Sequence, residues 1–376
     1  GKQFTSAGIM KMVEENLLRL DESILKYIAE GPKKWKSITI RHLMTHSSGI
    51  PDYTSEEFDY SKNYSEEDLV EMASKLDLEF SAGKRWNYSN TGYVLLGVIM
   101  SRVAKKPYWE YLDEHIFTPA GMHSIRINTE KDIVPNKAKG YIPSIEGYQH
   151  ASYVAPITNT TADGSMLLSL EDLLAWNSTV KNKLILKRKS WNLILSPMKL
   201  NSGNNYPYGF GWFIEEKNEK TVHQHGGTWQ GFTTQIFRFI EDELEVILLT
   251  NARSIAAYEL PRKIAVLIDP SLKVQPLPIK PIKDDIPEID RLREQPDQGH
   301  KRDILSLEQY EKLWKYLEYK YCKDKSVNDE ERAKRVVFTK MIGVMYNTGL
   351  RCKEVLGLQW NEVYANPLDD AEKRKK

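Results

Sequence analysis

The stretch of sequence that decides the fold is Trp86-Asn87-Tyr88-Ser89-Asn90-Thr91-Gly92-Tyr93-Val94-Leu95-Leu96-Gly97. Its apolar residues recur at helical spacing as far as Val103, which predicts a helix that begins after Asn90. The polar residues ahead of that helix have the composition of a capping loop. Tyr88 and Asn90 lie two residues apart in this loop, so a phenol and an amide can project into one cleft. We therefore expect a functional site at the start of this helix.

Helical patterns lie on both sides of a block of strand patterns. Apolar residues at helical spacing predict further helices over residues 4–20, 40–45 and 256–267. After Gly203 the segments become short, aromatic and β-branched, which predicts an antiparallel meander with strands over residues 208–215, 221–225, 233–240 and 244–250. Helices before and after a run of strands are typical of an α+β domain. We therefore expect an antiparallel sheet flanked by helices.

The composition excludes several classes of protein. The 376 residues include 53 Lys and Arg against 52 Asp and Glu, and a net charge of +1 does not draw the whole molecule to nucleic acid or to a membrane. No apolar run approaches the roughly 20 residues that span a bilayer, and no charged segment followed by an apolar stretch opens the sequence. Cys322 and Cys352 lack the spacing of a zinc site or a disulfide framework, so we expect reduced thiols.

The second candidate motif is His225-Gly226-Gly227. We expect it to end a strand, with two glycines that allow a substrate to approach the backbone closely. The other histidines predict no metal site. His42 and His46 are four residues apart but lack a third ligand, and His223 is expected on the face of the strand opposite to that of His225. We therefore expect neither a cofactor nor a metal ion.

Taken together, these segments resemble one enzyme family. Residues 86–97 are similar to the second motif region of class C β-lactamases, low-molecular-weight penicillin-binding proteins and related esterases. Ile38–Ile50 resembles the helix and turn upstream of it, Ile116–Met122 resembles a later hallmark, and His225–Gly227 with Gly231–Phe232 resembles the third motif. The resemblance covers about residues 2–268. It implies a β-lactamase/transpeptidase-like fold and serine acyl transfer on a lactam, an ester or a D-alanyl peptide.

The first motif of this family is Ser-x-x-Lys, and Lys2 matches its lysine. The motif serine would lie before residue 1, and neither Ser6 nor Ser89 stands in its place. We therefore expect an N-terminally truncated domain that lacks its nucleophile and is inactive as given. The strands that precede the nucleophile in the family would be missing too, which should leave an unpaired sheet edge. Members of the family are commonly exported, but the sequence leaves the localisation open.

The resemblance also implies a role for each motif residue. Lys2 and Tyr88 would shuttle the proton of the serine, and Asn90 would orient the substrate amide. His225 would line the side of the cleft that receives a carboxylate. The residues that follow it would bind the substrate, with the Thr228 N–H as one oxyanion donor; these substrate-binding residues are Gly226, Gly227 and Thr228.

The last part of the chain shows a different pattern. Residues 269–303 are rich in proline and charge without an apolar period, which predicts a linker, and residues 304–376 return to helical spacing. Thr348–Trp360 resembles the first catalytic-arginine box of tyrosine recombinases (phage-type integrases), and Leu305–Glu308 is similar to the start of that catalytic domain. By this resemblance Arg351 would clamp a DNA phosphate. An amphipathic helical hairpin with a solvated arginine is the alternative.

Three functions stay open from the sequence. The first is a β-lactamase-like serine hydrolase formed by residues 1–268, whose partner is a small-molecule or peptide acyl substrate. The second is a non-catalytic composite or truncated product whose C-terminal part derives from a DNA integrase. The third is DNA binding through Arg351 in the C-terminal segment alone, and the small basic excess of that segment disfavours it.

Overall fold

A computed structural model of the protein describes residues 1–54, 58–129, 133–144, 147–217, 220–253 and 256–272. Most of the expected linker, the whole segment 304–376 with Arg351, and both cysteines lie outside the described residues. None of the helices in the described ranges combines the length and the apolar character that crossing a bilayer requires.

Helices cover much of the first two thirds of the described chain. A π-helical turn, Asp113–Phe117, continues α5. The α-helices are α1 (Lys2–Glu14), α2 (Ile40–Met44), α3 (Glu66–Lys75), α4 (Asn90–Ala104), α5 (Tyr108–Leu112), α6 (Leu170–Lys181), α7 (Arg188–Ile194) and α8 (Ala256–Ile268).

Helix α4 is the helix predicted from the opening stretch, and it begins at Asn90 as expected. Every residue from Thr91 to Met100 is buried. It packs against α1, α2, α3 and α5, and a helix surrounded on all sides is apolar all round. Gly97 permits close packing, because a Cβ at this position would lie 2.5 Å from the Cβ of Ala162. The capping loop ahead of α4 is thereby fixed to the centre of the helical core.

Helix α1 is shorter than the pattern of apolar residues predicts. It begins at Lys2 and ends at Glu14, whereas the predicted helix continues to residue 20. Asn16 has a φ of 59°, a left-handed conformation that a helix cannot continue through. Leu18 and Leu20 are nevertheless buried in the main core. Apolar residues recur in the sequence after the helix has ended because the turn that follows packs against the same core.

The main sheet is antiparallel and four-stranded, in the order β10 (Leu244–Thr250), β9 (Phe232–Phe239), β8 (Lys220–Trp229) and β7 (Phe213–Lys217). One of its faces contributes Ile214 and Ile236 to the main core, and the other packs Val222 and Phe237 against α8. The α+β architecture predicted from the sequence is therefore present. The strands are β1 (Arg126–Ile127), β2 (Tyr141–Ser144), β3 (Gly147–His150), β4 (Met166–Leu167), β5 (Met198–Lys199), β6 (Asn205–Tyr206), β7 (Phe213–Lys217), β8 (Lys220–Trp229), β9 (Phe232–Phe239) and β10 (Leu244–Thr250).

Two strand boundaries differ from the prediction by more than two residues. Strand β7 begins at Phe213 instead of Tyr208, because Gly211 has a φ of 77° and turns the chain ahead of the strand. Strand β8 does not end at His225 but runs on to Trp229, where its ladder partner is β9. Strand β10 matches its predicted bounds. Among the described strands β10 pairs with β9 alone, so no described strand covers its outer edge.

Candidate active site

Lys2 is drawn into the protein at the first position of α1, where only 5% of it is exposed. Its Nζ donates to Oδ1 of Asn90 at 2.6 Å and to the backbone oxygen of Asp163 at 2.9 Å. The dipole at the N-terminal end of a helix disfavours a cation. These two acceptors offset that cost and fix the position of the ammonium group.

Tyr88 and Asn90 meet Lys2 at the start of α4. The centroid of the Tyr88 ring lies 4.9 Å from Lys2 Nζ, within the range of a cation–π contact. Oδ2 of Asp52 accepts from both the backbone N–H and the Nδ2 group of Asn90, each at 2.9 Å. Asp52 thus caps the helix in place of Ser89, whose side chain makes no capping bond. Because Nδ2 is held by Asp52, the amide oxygen of Asn90 faces Lys2.

Asp163 borders Lys2 from another direction. Its Oδ2 accepts the hydroxyl of Tyr53 at 2.9 Å, and its Oδ1 accepts the hydroxyl of Thr161 at 2.6 Å. Burial, and then the charge of Asp163, raise the pKa of Tyr53 far above its ordinary value, so that Tyr53 remains a donor. With both carboxylate oxygens held, Asp163 keeps its backbone oxygen directed at Lys2.

A group of aromatic side chains joins the second motif to the third. The ring of His225, on β8, has its centroid 6.4 Å from that of Tyr88. The Tyr208 hydroxyl is 3.3 Å from Nε2 of His225 and 3.1 Å from Nε2 of His46. His46 lies against Tyr88 with 4.2 Å between ring centroids, and its Nδ1 accepts the backbone N–H of Ser89 at 3.1 Å. The structure thus brings Lys2, Tyr88, Asn90 and His225 together.

Both histidines of this group are neutral at physiological pH. Burial, and then the charge of Lys2, lower the pKa of His225 to about 3. The same two causes hold the pKa of His46 well below its ordinary value. Nδ1 of His225 lies 2.7 Å from the backbone oxygen of Gly226, which can only accept, so Nδ1 carries the proton of the ring. His225 therefore presents a neutral ring to the cleft.

Gly226 and Gly227 lack side chains for different reasons. A Cβ at Gly226 would lie 2.3 Å from Nε2 of Gln235, which is itself buried. On the side of Gly226 where a Cβ would lie, the space is therefore filled by the Gln235 side chain. At Gly227 the nearest atom to a Cβ would be Oγ1 of Thr234 at 3.3 Å, so this position has more space. Thr228 follows on β8, where it pairs with β9.

The other two histidines considered as metal ligands, His223 and His42, lie on β8 and α2. His223 lies on the same face of β8 as His225, and the prediction of opposite faces was wrong because alternate residues of a strand point to the same side. Burial, and then Arg238, lower the pKa of His223 to about 4. Nδ1 of His42 accepts the backbone N–H of Thr39 at 3.1 Å at the start of α2. Among the described residues no group of three His, Cys, Asp or Glu side chains is suited to hold a metal ion.

The two serines nearest the site are engaged elsewhere. Both Ser6 and Ser89 are buried. Oγ of Ser6 lies 3.1 Å from the hydroxyl of Tyr93, which donates to the backbone oxygen of Met44 at 2.8 Å. Ser89 donates to a backbone oxygen at 3.5 Å. Neither side chain is hydrogen bonded to Lys2 within the described structure.

The chain is similar in sequence to proteins of a known family. A family model described as Beta-lactamase matches residues 1–268. Penicillin-binding protein 4* of Bacillus subtilis (strain 168) is 30% identical over 275 residues, which cover 69% of this chain and 60% of that protein. The chain spans between about half and three fifths of the length of the curated relatives it matches.

Solved structures agree with these matches. The octameric penicillin-binding protein homologue from Pyrococcus abyssi is 27% identical with a TM-score of 0.60, over 71% of this chain and 64% of that one. D-amino acid amidase from Ochrobactrum anthropi SV3 is 23% identical with a TM-score of 0.62, over 72% of this chain and 82% of that one. At the lower identity the likeness shows the fold alone, which is that of the β-lactamase/transpeptidase type.

Proposed function

The chain belongs to the Beta-lactamase family, and we propose that residues 1–268 form the body of a serine acyl-transfer hydrolase that acts on a lactam, an ester or a D-alanyl peptide. One observation carries the proposal: the contact of Lys2 with the motif that precedes α4. Lys2 Nζ is bonded to Asn90 and lies 4.9 Å from the ring of Tyr88. An ammonium group, a phenol and an amide in contact are parts that acyl transfer requires.

The nucleophile of this scheme is a serine two positions before Gly1, in the sequence Ser-x-Gly1-Lys2. Because α1 begins at Lys2, continuing the helix backward would put the serine hydroxyl one turn before the ammonium group. Either Lys2 or Tyr88 must first lose its own proton, and that residue accepts the serine proton while Oγ attacks the acyl carbon of the substrate. The same proton then goes to the leaving oxygen or nitrogen. Water later attacks the acyl-serine ester, gives its proton to the same pair, and restores the serine.

The other motif residues position the substrate in this proposal. The side chain of Asn90 is fixed by Asp52 and Lys2, so it offers a rigid polar edge to the substrate amide. The backbone N–H of Thr228 and that of the serine would stabilise the oxyanion that forms at the acyl carbon. Gly227, where a Cβ would lie 3.3 Å from Oγ1 of Thr234, presents no side chain and so lets the substrate lie close to this backbone.

The 376-residue chain itself should be hydrolytically silent, because no hydroxyl among residues 1–268 is assigned to the nucleophile position. This proposal concerns a protein made with that sequence alone. An extension that supplies the family's preceding strands followed by Ser-x should restore turnover.

The experiment is ester hydrolysis by the extended protein. We expect Tyr88→Phe to lower the rate by about 10²-fold, the scale of losing a general acid or base, and Lys2→Ala to be at least as severe. Tyr148→Phe is the matched control, because this tyrosine is 65% exposed on β3. A folded extended protein that is inactive toward esters, lactams and D-alanyl peptides would refute the proposal.

We propose a separate origin for the C-terminal part. Thr348–Trp360, with Arg351, supports descent of residues 304–376 from a tyrosine recombinase catalytic domain, joined by the linker 269–303. In that case the chain is a composite product. Retention on DNA that falls steeply with salt, and that Arg351→Ala abolishes, would instead favour a DNA-binding role.

A further inference from the structure

We infer that His46 and Tyr208 are positioning residues that hold the second and third motifs together through one ordered chain of hydrogen bonds. The chain runs from the Ser89 N–H to His46, from His46 to Tyr208, from Tyr208 to His225, and from His225 to the backbone oxygen of Gly226. A role of this hydrogen-bond chain in catalysis rests on the proposed function, whereas the hydrogen bonds themselves do not depend on it.

The direction of the first bonds follows from the backbone. The Ser89 N–H can only donate, so Nδ1 of His46, 3.1 Å away, must be unprotonated. His46 is 1% exposed and neutral, which puts its single proton on Nε2. That Nε2–H group then donates to the Tyr208 hydroxyl at 3.1 Å.

The direction of the last bonds is fixed from the other end. The backbone oxygen of Gly226 can only accept, so Nδ1 of His225, 2.7 Å away, carries the proton. Nε2 of the neutral His225 ring is therefore an acceptor, and the Tyr208 hydroxyl at 3.3 Å donates to it. In this arrangement every donor in the chain meets an acceptor, both backbone ends are satisfied and both rings are neutral.

The residues around the hydrogen-bond chain favour this placement of the protons. Tyr208 is fully buried, and its ring packs 4.9 Å from that of His46 and 4.8 Å from that of Phe213. Burial, and then the charge of Lys2, lower the pKa of both histidines and so disfavour a second proton on either ring. Tyr93 also faces Tyr208 and His46, and burial raises its pKa above its ordinary value. The groups that face the chain therefore favour neutral rings.

The chain of bonds joins elements that are far apart in sequence. His46 fixes the backbone at Ser89 and packs on the Tyr88 ring, while Tyr208 fixes His225 on β8. Loss of either positioning residue should therefore loosen Tyr88 relative to His225, although neither residue touches the Lys2 ammonium group by hydrogen bond. A shift of this kind near reacting groups is expected to slow an acyl transfer about 10- to 100-fold.

The first test is the tautomer of each ring, read by nitrogen NMR on the 376-residue chain with labelled histidine. Signals are assigned by single His→Gln replacements. We expect the Nε2–H tautomer for His46 and the Nδ1–H tautomer for His225, both neutral from pH 6 to pH 8. The opposite tautomer at either ring, or a charged ring in that range, would overturn the inference. No catalytic activity is needed, so failure here is distinct from failure of the proposed function.

Two variants then test the linkage. Tyr208→Phe should move the Nε2 signals of both His46 and His225, while Tyr206→Phe, in the ladder of β5 and β6, should move neither. His46→Gln should speed hydrogen exchange at the Ser89 N–H about tenfold or more, because the bond that protects it is lost. The control His42→Gln should leave that exchange unchanged. Unmoved signals in Tyr208→Phe, or unchanged exchange in His46→Gln, would contradict the linkage.

Discussion

The Nζ atom of Lys2 lies 2.6 Å from Oδ1 of Asn90, although the two residues are 88 positions apart in the sequence. The orientation of the Asn90 amide is set on its other side, where Nδ2 and the backbone N–H donate to one oxygen of Asp52. Asp52 thereby decides which atom of Asn90 faces Lys2. The geometry at the ammonium group depends on a carboxylate that does not itself bond to the lysine among the described contacts.

The first prediction concerns Asp52. Asp52→Ala removes the acceptor of two donors of Asn90, and unsatisfied donors in a partly buried site should lower the free energy of unfolding by about 1–3 kcal/mol. Urea unfolding of the 376-residue chain measures the change. Asp59→Ala is the control, because Asp59 bonds only within its own turn. Equal effects of the two substitutions would show that Asp52 does not organise the site.

The second prediction separates the two glycines of the third motif. A Cβ at Gly226 would collide with the buried Gln235 side chain, so Gly226→Ala should lower the free energy of unfolding by about 1–3 kcal/mol. Gly227→Ala meets only Thr234 at 3.3 Å and should change it by less than about 0.5 kcal/mol. Thermal or urea unfolding decides, and a larger loss at Gly227 would contradict the packing described here.

The main sheet shows how far local pattern can predict a fold. Strand β10 has its predicted bounds because its apolar and β-branched run begins directly after the turn at residues 241–243 and ends before the bend at residue 251. The predicted strand from Tyr208 fails because Gly211 turns the chain, and a positive φ cannot be read from hydrophobic spacing. The predicted helix over residues 4–20 fails at Asn16 for the same reason. Boundaries set by backbone conformation are therefore the part that the sequence leaves undetermined.

The candidate site shows a second limit of sequence reasoning. Lys2, Tyr88, Asn90 and His225 are named from motifs, and the structure brings them together. Asp52 and Tyr208 carry no motif signal of their own, because their roles arise from contacts across 38 and 162 positions of sequence. Such contacts depend on how α4 and β8 pack in the fold. Residues that position a site are harder to predict than residues that carry its motifs.

The third prediction is a pH dependence of stability. His46 and His223 are buried and neutral, with pKa values lowered by burial first; the pKa of His223 falls to about 4. Below about pH 6.5 each of these two histidines binds a proton in the unfolded chain but not in the folded chain. The contribution of these histidines to the free energy of unfolding should therefore be at its maximum above that pH. It should fall by about 1.4 kcal/mol per pH unit for each histidine as the pH drops toward 4.

Urea unfolding between pH 7.5 and pH 4.5 measures this slope. His223→Gln should reduce it by about 1.4 kcal/mol per pH unit, and His150→Gln, at an exposed position of β3, should not. Glu66 acts in the opposite sense, because burial raises its pKa to about 7 and its contribution is lost as the pH rises from 4.5. Glu66→Gln should therefore steepen the slope. A slope unchanged in His223→Gln would contradict a neutral buried His223.

The fourth prediction concerns substrate charge in the serine-extended protein. His225 is neutral and both of its ring nitrogens are engaged, so it offers no charge and no free N–H group to a carboxylate. An ester with a carboxylate beside the leaving group should therefore have a kcat/KM less than about tenfold above that of the same uncharged ester, because about tenfold is the scale of one charged hydrogen bond. Steady-state kinetics at pH 7 decide, and a larger preference for the carboxylate would show that another cation serves it.

The most direct test of the account is intact-mass analysis after treatment with a fluorophosphonate or a labelled penicillin. We predict that the serine-extended protein gains one covalent adduct, on the serine two positions before Gly1. The unextended 376-residue chain and a serine-to-alanine version of the extended protein should gain none. Absence of an adduct in a cooperatively folded extended protein, or stoichiometric labelling of Ser6 or Ser89 in the 376-residue chain, would contradict the assignment of Lys2, Tyr88 and Asn90 to an acyl-transfer site.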